Sequence, residues 1–502
     1  MNARKRFGKC GPVGLLVLVL ASGVRAQEDP AAQVDSLPGR PRLLVLTDIG
    51  NEPDDQMSLV RLLVYANEFD LEGIVATTST WQRDTLRPDI IHRVLDAYAQ
   101  VEASLRRHAE GFPSAAELRR RVATGQPGYG MAAVGDGKLS PGAALIIRAV
   151  DRDDPRPLWV AIWGGANTLA QALWEVRATR SPAEVAAFVA RLRVYSISDQ
   201  DDAGPWIRRT FPDLFYIVTP STPNGEEYYR ATWTGISGEV YYANCPGADS
   251  TTITNAWLDE HIRRKGPLGR AYPRYTFIME GDTPSFLNLI GNGLAAHYNP
   301  GWGGWGGRYV YRTPYGETHP IWTQGGDAFP GAPDSRDTVV GIDGRPYTSD
   351  QATIWRWRRA FQHDFAARMD WTIKGFEEAN HNPIVVVNGR EGKAPLWMKA
   401  RVGQPLVLDA TGTHDPDGDT LTYTWFVYPE AQTGRAFRPA ARLEGDRIVP
   451  LPPRATLIGA HSPRVTVIPN LPGETHLILA VEDSGTPGLT AYRRVILDVQ
   501  PE

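Results

Sequence analysis

Cysteine is almost missing from these 502 residues, which contain only Cys10 and Cys245. Cys10 lies in an N-terminal stretch that reads as a cleavable secretory leader, so the processed chain keeps Cys245 alone and can form no internal disulfide. The leader has Arg4, Lys5, Arg6 and Lys9 ahead of an apolar run at 13–20, then the small-residue pattern Val24-Arg25-Ala26. That run is too short for a hydrocarbon core of about 30 Å, and no later stretch reaches roughly 18 consecutive apolar residues, so no membrane span is expected. Positive charge is in slight deficit, with 53 lysines and arginines against 57 acidic residues. Cleavage after residue 26 removes five basic residues and no acidic ones, moving the formal charge from -4 to -9, a balance that argues against nucleic-acid binding. There is no internal repeat and no low-complexity tract. Stability must therefore come from apolar cores, and with 42% hydrophobic residues a chain of about 475 residues has enough material for more than one domain.

Tryptophan (15), glycine (49) and proline (40) are abundant, which suggests large ordered loops. From about 41 to 380, short apolar runs alternate with amphipathic segments, the pattern of a mainly parallel sheet covered by helices in a doubly wound α/β fold. Strands are expected at 42–46, 73–77, 158–163, 192–197, 214–218 and 275–279, and helices at 54–69, 88–107, 167–178, 182–191, 283–291 and 352–370. About sixty residues before the last helix carry no readable pattern. From about 381 to 502, short β-branched strands separated by turns (384–387, 405–409, 421–426, 464–468, 476–481 and 492–499) indicate an immunoglobulin-like β-sandwich. Its turn Asp415-Pro416-Asp417-Gly418-Asp419 could hold calcium. Asp-Pro and Asp-Gly are ordinary turn formers, and a plain turn is the preferred reading.

In open parallel sheets, ligands bind beyond the carboxyl ends of the strands. The residues expected there are strongly acidic: Asp48, Glu52, Asp54 and Asp55 after the first strand, Asp199, Asp201 and Asp202 after a later one, and Glu280 and Asp282 after the last. Any one of them could cap a helix. Together they need a counter-charge, and a hard divalent cation with oxygen ligands is the simplest.

Residues 43–63, with TDIGNEPDD at 47–55, resemble the N-terminal signature of the inosine/uridine-preferring nucleoside hydrolases. Together with SISDQDDAGPW at 196–206, WGGRY at 305–309 and ATIWRWR at 352–358, the chain more closely resembles a secreted nucleoside-hydrolase-like family with a C-terminal immunoglobulin-like domain, named as cellulose-binding. The resemblance implies one calcium ion, with Asp48 as a ligand and general base, Asp55 as a bidentate ligand, Asn167 giving a backbone carbonyl, Asp282 as the late ligand, and Asp54 touching a sugar hydroxyl. Two positions depart from the pattern. The first signature aspartate is Leu46, and the histidine linked to protonating a nucleobase is Gly281.

These readings converge on a secreted or periplasmic, calcium-dependent glycoside hydrolase acting on a carbohydrate through an oxocarbenium-like transition state. The candidate leaving-group acids are Asp199, Asp201, Asp202 and Glu280. Trp81, Trp206, Trp302 and Trp305 are the candidate sugar-stacking rings. A non-catalytic carbohydrate-binding protein and a secreted nucleosidase are the alternatives.

Overall fold

The computed structural model describes residues 39–221, 226–238, 242, 244–324, 335–431, 441–444 and 447–502; the expected leader lies outside them. An eight-stranded sheet organises the first part of the chain. Its strands are β1 (Arg42–Thr47), β2 (Asp70–Ala76), β3 (Val122–Thr124), β4 (Leu158–Ile162), β5 (Leu192–Ser196), β6 (Phe215–Ile217), β7 (Val310–Arg312) and β8 (Ile321–Thr323). They lie in the order β3-β2-β1-β4-β5-β6-β8-β7, all parallel except β7. β1 shows why the sheet is covered on both faces. Leu43 and Val45 enter one apolar cluster, Leu44 and Leu46 the opposite one, as two-residue side-chain alternation requires of a strand buried between helix layers.

The chain leaves β1 for β2 on one side and later returns to β4 on the other. Order therefore reverses at β1, where a crevice opens beyond the strand ends. Helix Asp54–Val64 starts at this crevice and ends sooner than the spacing suggested, passing into a short 3-10 turn at Ala66–Glu68. The helix expected at 88–107 is split into Pro88–Ala99 and Glu102–His108, and the one expected at 352–370 into Ala352–Trp355 and Arg358–Asp370.

Residues 275–279 are not a strand. They form a loop whose Ile278 and Met279 enter the helix-layer core, leading to Glu280 in a left-handed conformation (φ 54°). A short apolar run has no period that separates buried coil from strand. The sheet is completed instead by β8 and β7, both from the stretch that had no readable pattern.

The C-terminal region is a sandwich. One sheet orders Leu396–Arg401, Thr490–Gln500, Gly473–Asp483 and Leu421–Val427; the other orders Leu406–Asp409, Arg464–Pro469 and Ala455–Ile458. Inward-facing Leu408, Trp425, Val465, Leu479 and Val495 fill the space between them. The sandwich is joined to the α/β region by shared packing. Tyr428, Ile478 and Tyr492 belong to the same apolar cluster as the helix layer, and buried Asp337 accepts from Arg308 (2.8 Å), Arg356 (2.8 Å) and the Tyr428 hydroxyl (2.6 Å). Among the described residues, no helix is long and apolar enough to cross a membrane.

Candidate functional site

At the end of β1 the chain turns sharply through Gly50, whose φ of 114° is one that side chains beyond glycine rarely adopt. The turn brings Asp48, Glu52, Asp54 and Asp55 to one place. Asp282 arrives from the loop after Glu280, and Asp54, Asp55 and Asp282 each offer a carboxylate oxygen within 4.8 Å of the others. The Thr47 hydroxyl donates to Asp55 Oδ1, while the Ile49 amide donates to the Thr47 oxygen at 3.1 Å. Asp48 lies alongside, hydrogen-bonded with Ser79 and Asp55. It packs so tightly on Gly164 that a β carbon there would stand 2.7 Å from Asp48 Oδ1.

All four aspartates are buried. Burial holds their carboxyls above the ordinary range, well above it for Asp54, Asp55 and Asp282, and the neighbouring negative charges push those three further. Among the described residues no lysine or arginine pairs with them, and Asp54 Oδ1 and Asp282 Oδ2 are buried without a hydrogen-bond partner. Two orphaned buried oxygens in a carboxylate cluster that no basic side chain among the described residues neutralises fit a hard divalent cation. The cavity is small, about 10 Å³, room for one ion or water rather than a sugar ring. Asn51, Glu52, Trp81, Ile197, Gln200, Tyr228 and Trp233 line this cavity together with the four aspartates and Gly281, so a larger ligand must sit over its mouth.

Trp81 is 38% exposed, with its amide held by Ser79 Oγ at 3.0 Å. Glu52 is partly exposed, and its carboxyl is raised by burial and by Asp48. The sequence places it on the acidic rim, and no motif there marks it for a role. Gln200 donates to the Trp163 carbonyl at 2.6 Å, leaving its own buried side-chain oxygen unpartnered. Tyr228 and Trp233 come from a stretch without sequence assignment and have no motif that would have marked them.

Several expected residues lie elsewhere. Trp302 and Trp305 are each 1% exposed and are corrected from sugar platforms to core. Trp302 lies against His476 and Trp397, and Trp305 against Phe361 and Tyr492, both in the packing that joins the two regions. Trp206 packs on Trp174 and beneath Arg177, away from the mouth. Glu280 is fully buried and bound by Arg61, Tyr272 and Thr283, a structural ion pair rather than a proton donor. Asp199 is gripped by both outer nitrogens of Arg208 at 2.8 Å. Asp201 accepts from the amides of Asn167 (3.1 Å) and Ala203 (3.0 Å), and burial pushes its carboxyl up to about 6. Asp202 accepts from the Met131 amide at 2.7 Å. None of these four carboxylates lines the mouth. Asn167 is also outside the lining. Its side chain ties Thr78 (3.1 Å) to the Gly128 carbonyl (2.7 Å), a strut between rim loops, so its place as a ligand rests on the family resemblance alone. Leu46, the first departure from the signature, points into the second apolar cluster and away from the carboxylates.

Residues 42–309 match the family described as "Cellulose-binding Sde182, nucleoside hydrolase-like domain". This chain belongs to that family. Residues 405–499 match its companion, "Cellulose-binding protein Sde0182, C-terminal domain". Among solved structures, this chain is similar to a nucleoside hydrolase-related hypothetical protein from Saccharophagus degradans that is associated with carbohydrate metabolism. The two are 38% identical, with 92% of this chain and all of that one covered, at a TM-score of 0.74. The effector protein XOO4466 (11% identity, 67% of this chain and 95% of that one, TM-score 0.35) and the PKD domain from KIAA 1837 protein (18% identity, 22% and 83%, TM-score 0.14) are too distant to bear on this site. No curated protein matches the chain.

Proposed function

We propose that this protein is an exported, calcium-dependent hydrolase of glycosyl bonds in a carbohydrate. The observation carrying this reading is the orphaned carboxylate cluster Asp54, Asp55 and Asp282 under a mouth with an exposed indole. Asp54, Asp55 and Asp282 would hold the ion, with Asp48 beside them. When bound, calcium supplies positive charge that orients vicinal hydroxyls and makes a nearby water easier to deprotonate.

The remaining steps fall to the chain's own groups. Asp48 accepts the proton of the attacking water as its oxygen bonds to the anomeric carbon. Glu52, a carboxyl lining the cavity that no arginine among the described residues holds, gives a proton to the departing sugar oxygen as the glycosidic C–O bond breaks. Trp81 offers its face to the apolar side of a pyranose, and Tyr228 and Trp233 wall the reacting bond from solvent. The family name and the carbohydrate association of the Saccharophagus degradans relative support a sugar ligand.

Carbohydrate binding without turnover is the second reading, favoured because none of the four expected acids lines the mouth. Glu52 separates the two. Under the hydrolase reading, Glu52→Gln loses turnover on alkyl glycosides and retains most of it on aryl glycosides whose leaving group needs no proton. A protein that binds oligosaccharide and hydrolyses neither class is a binder.

A further inference from the structure

The turn Asp415-Pro416-Asp417-Gly418-Asp419 carries a second acidic cluster, remote in sequence from the first. Asp415, Asp417 and Asp419 each present a carboxylate oxygen within 4.8 Å of the others. Asp415 Oδ1 accepts the amides of Asp417 (2.8 Å) and Asp419 (3.2 Å), an arrangement a plain turn also makes.

The independent observation is Asp483, at the end of strand Gly473–Asp483, 5% exposed. Its Oδ1 is saturated, accepting from Asn380 Nδ2 (2.9 Å) and from the amides of Gly485 (2.9 Å) and Leu489 (3.0 Å). Its Oδ2 is buried and has no partner among the described residues, and the same is true of Asp415 Oδ2. Asp483 stands opposite Leu421 in the sheet register, and Leu421 is two residues beyond Asp419, which sets the strand end beside the turn. The adjacent Ser484 hydroxyl donates to Asp419 Oδ1 at 3.1 Å, closing the strand end onto the turn.

Charge and donor chemistry then narrow the ligand. Four carboxylates meet one basic side chain among the described residues. His381 has Nδ1 2.9 Å from Asp417 Oδ1, and its amide donates to Asp417 Oδ2 at 2.7 Å. Even a charged His381 leaves three negative charges unmatched. Its other ring nitrogen is engaged by His108 at 3.0 Å, so no imidazole is free for a zinc-type site. The available donors are oxygens, at least two with open lone pairs, a set suited to calcium and its six to eight oxygen ligands.

We propose that Asp415, Asp419 and Asp483, with Asp417 shared with His381, form a second calcium site. Asn380 bonds Asp483 and His381 bonds Asp417, so the ion fastens the chain at 380–381, where it enters the sandwich, to both the turn and the strand end. It is a structural clamp, and it stands or falls separately from the site at Asp54, Asp55 and Asp282.

The test is calcium bound per full-length chain after equilibrium dialysis. The unmodified protein is expected to hold two equivalents, Asp55→Ala one, Asp415→Asn one, and the double variant none. Asp419→Asn serves as a second variant, with circular dichroism reporting its fold. Hydrogen exchange on the Asp55→Ala protein is expected to show calcium protecting the peptides spanning 411–420 and 480–489. Undiminished calcium in both Asp415→Asn and Asp419→Asn, or no protection of those peptides, overturns the clamp. Loss of calcium in Asp55→Ala alone concerns the other site.

Discussion

Gly281 and Asp54 are fitted against each other so closely that a β carbon on Gly281 would lie 2.7 Å from Asp54 Oδ2. That carbon would also stand 3.0 Å from Ile278 and 3.3 Å from the Trp233 ring. The histidine that the nucleoside hydrolases carry here has no room. Its place is taken by a carboxylate and an aromatic wall, so the departure at 281 belongs to how this site is built. Gly281→Ala should displace Asp54, and an overpacking cost of about 1–3 kcal/mol borne by the ion site weakens calcium binding by roughly five- to 150-fold. Calorimetry showing unchanged affinity would mean that Asp54 moves freely and does not hold the ion.

Removing Trp81 should weaken oligosaccharide binding by about 1–2 kcal/mol, the loss of one exposed stacking face, while leaving the melting temperature nearly unchanged. Trp302→Ala and Trp305→Ala should do the reverse, costing roughly 3–5 kcal/mol of stability as large buried rings are deleted. Denaturation and binding isotherms on the three variants check this, and a stable Trp305→Ala protein with lost sugar affinity contradicts it.

Glu280 and Arg61 form a buried ion pair. Glu280→Gln leaves the Arg61 charge without its partner and should destabilise the fold by about 3–5 kcal/mol. Folded protein that survives the change should still cleave at a rate set by Glu52. Full stability with abolished turnover would return Glu280 to the list of acids.

Calcium binding should weaken as pH falls. The carboxyls of Asp54, Asp55 and Asp282 are raised, so protons compete with the ion at higher pH than for ordinary aspartates. The sign for the metal-free protein follows. Folded-state values above the unfolded ones give stability that is present below the ordinary aspartate range and lost as pH rises through the raised values. Chelated protein should therefore melt lower at neutral pH than at mildly acidic pH, and added calcium should rescue it most at neutral pH. Melting curves independent of calcium at neutral pH would contradict this.

The β1 strand and the acidic rim were legible because their signals are local. Leu43 to Leu46 form one uninterrupted apolar run, and Asp48 to Asp55 stand within eight residues. What was misread depended on distant partners. Trp302 and Trp305 sit among glycines and look unpacked in sequence, yet Arg494, 192 residues later, donates to the Trp302 carbonyl, and Tyr492 covers Trp305. Asp199 and Glu280 resemble free rim acids until Arg208 and Arg61 fold onto them. β7 and β8 have three residues each, too few to show a two-residue period.

The most direct measurement is a panel of oligosaccharides and nucleosides assayed for binding and cleavage with calcium and with chelator, on the unmodified protein and Asp55→Ala. The expected result is calcium-dependent cleavage of a carbohydrate, lost in Asp55→Ala, with negligible base released from inosine or uridine. Efficient release of base, or sugar handling indifferent to both calcium and Asp55, would contradict it.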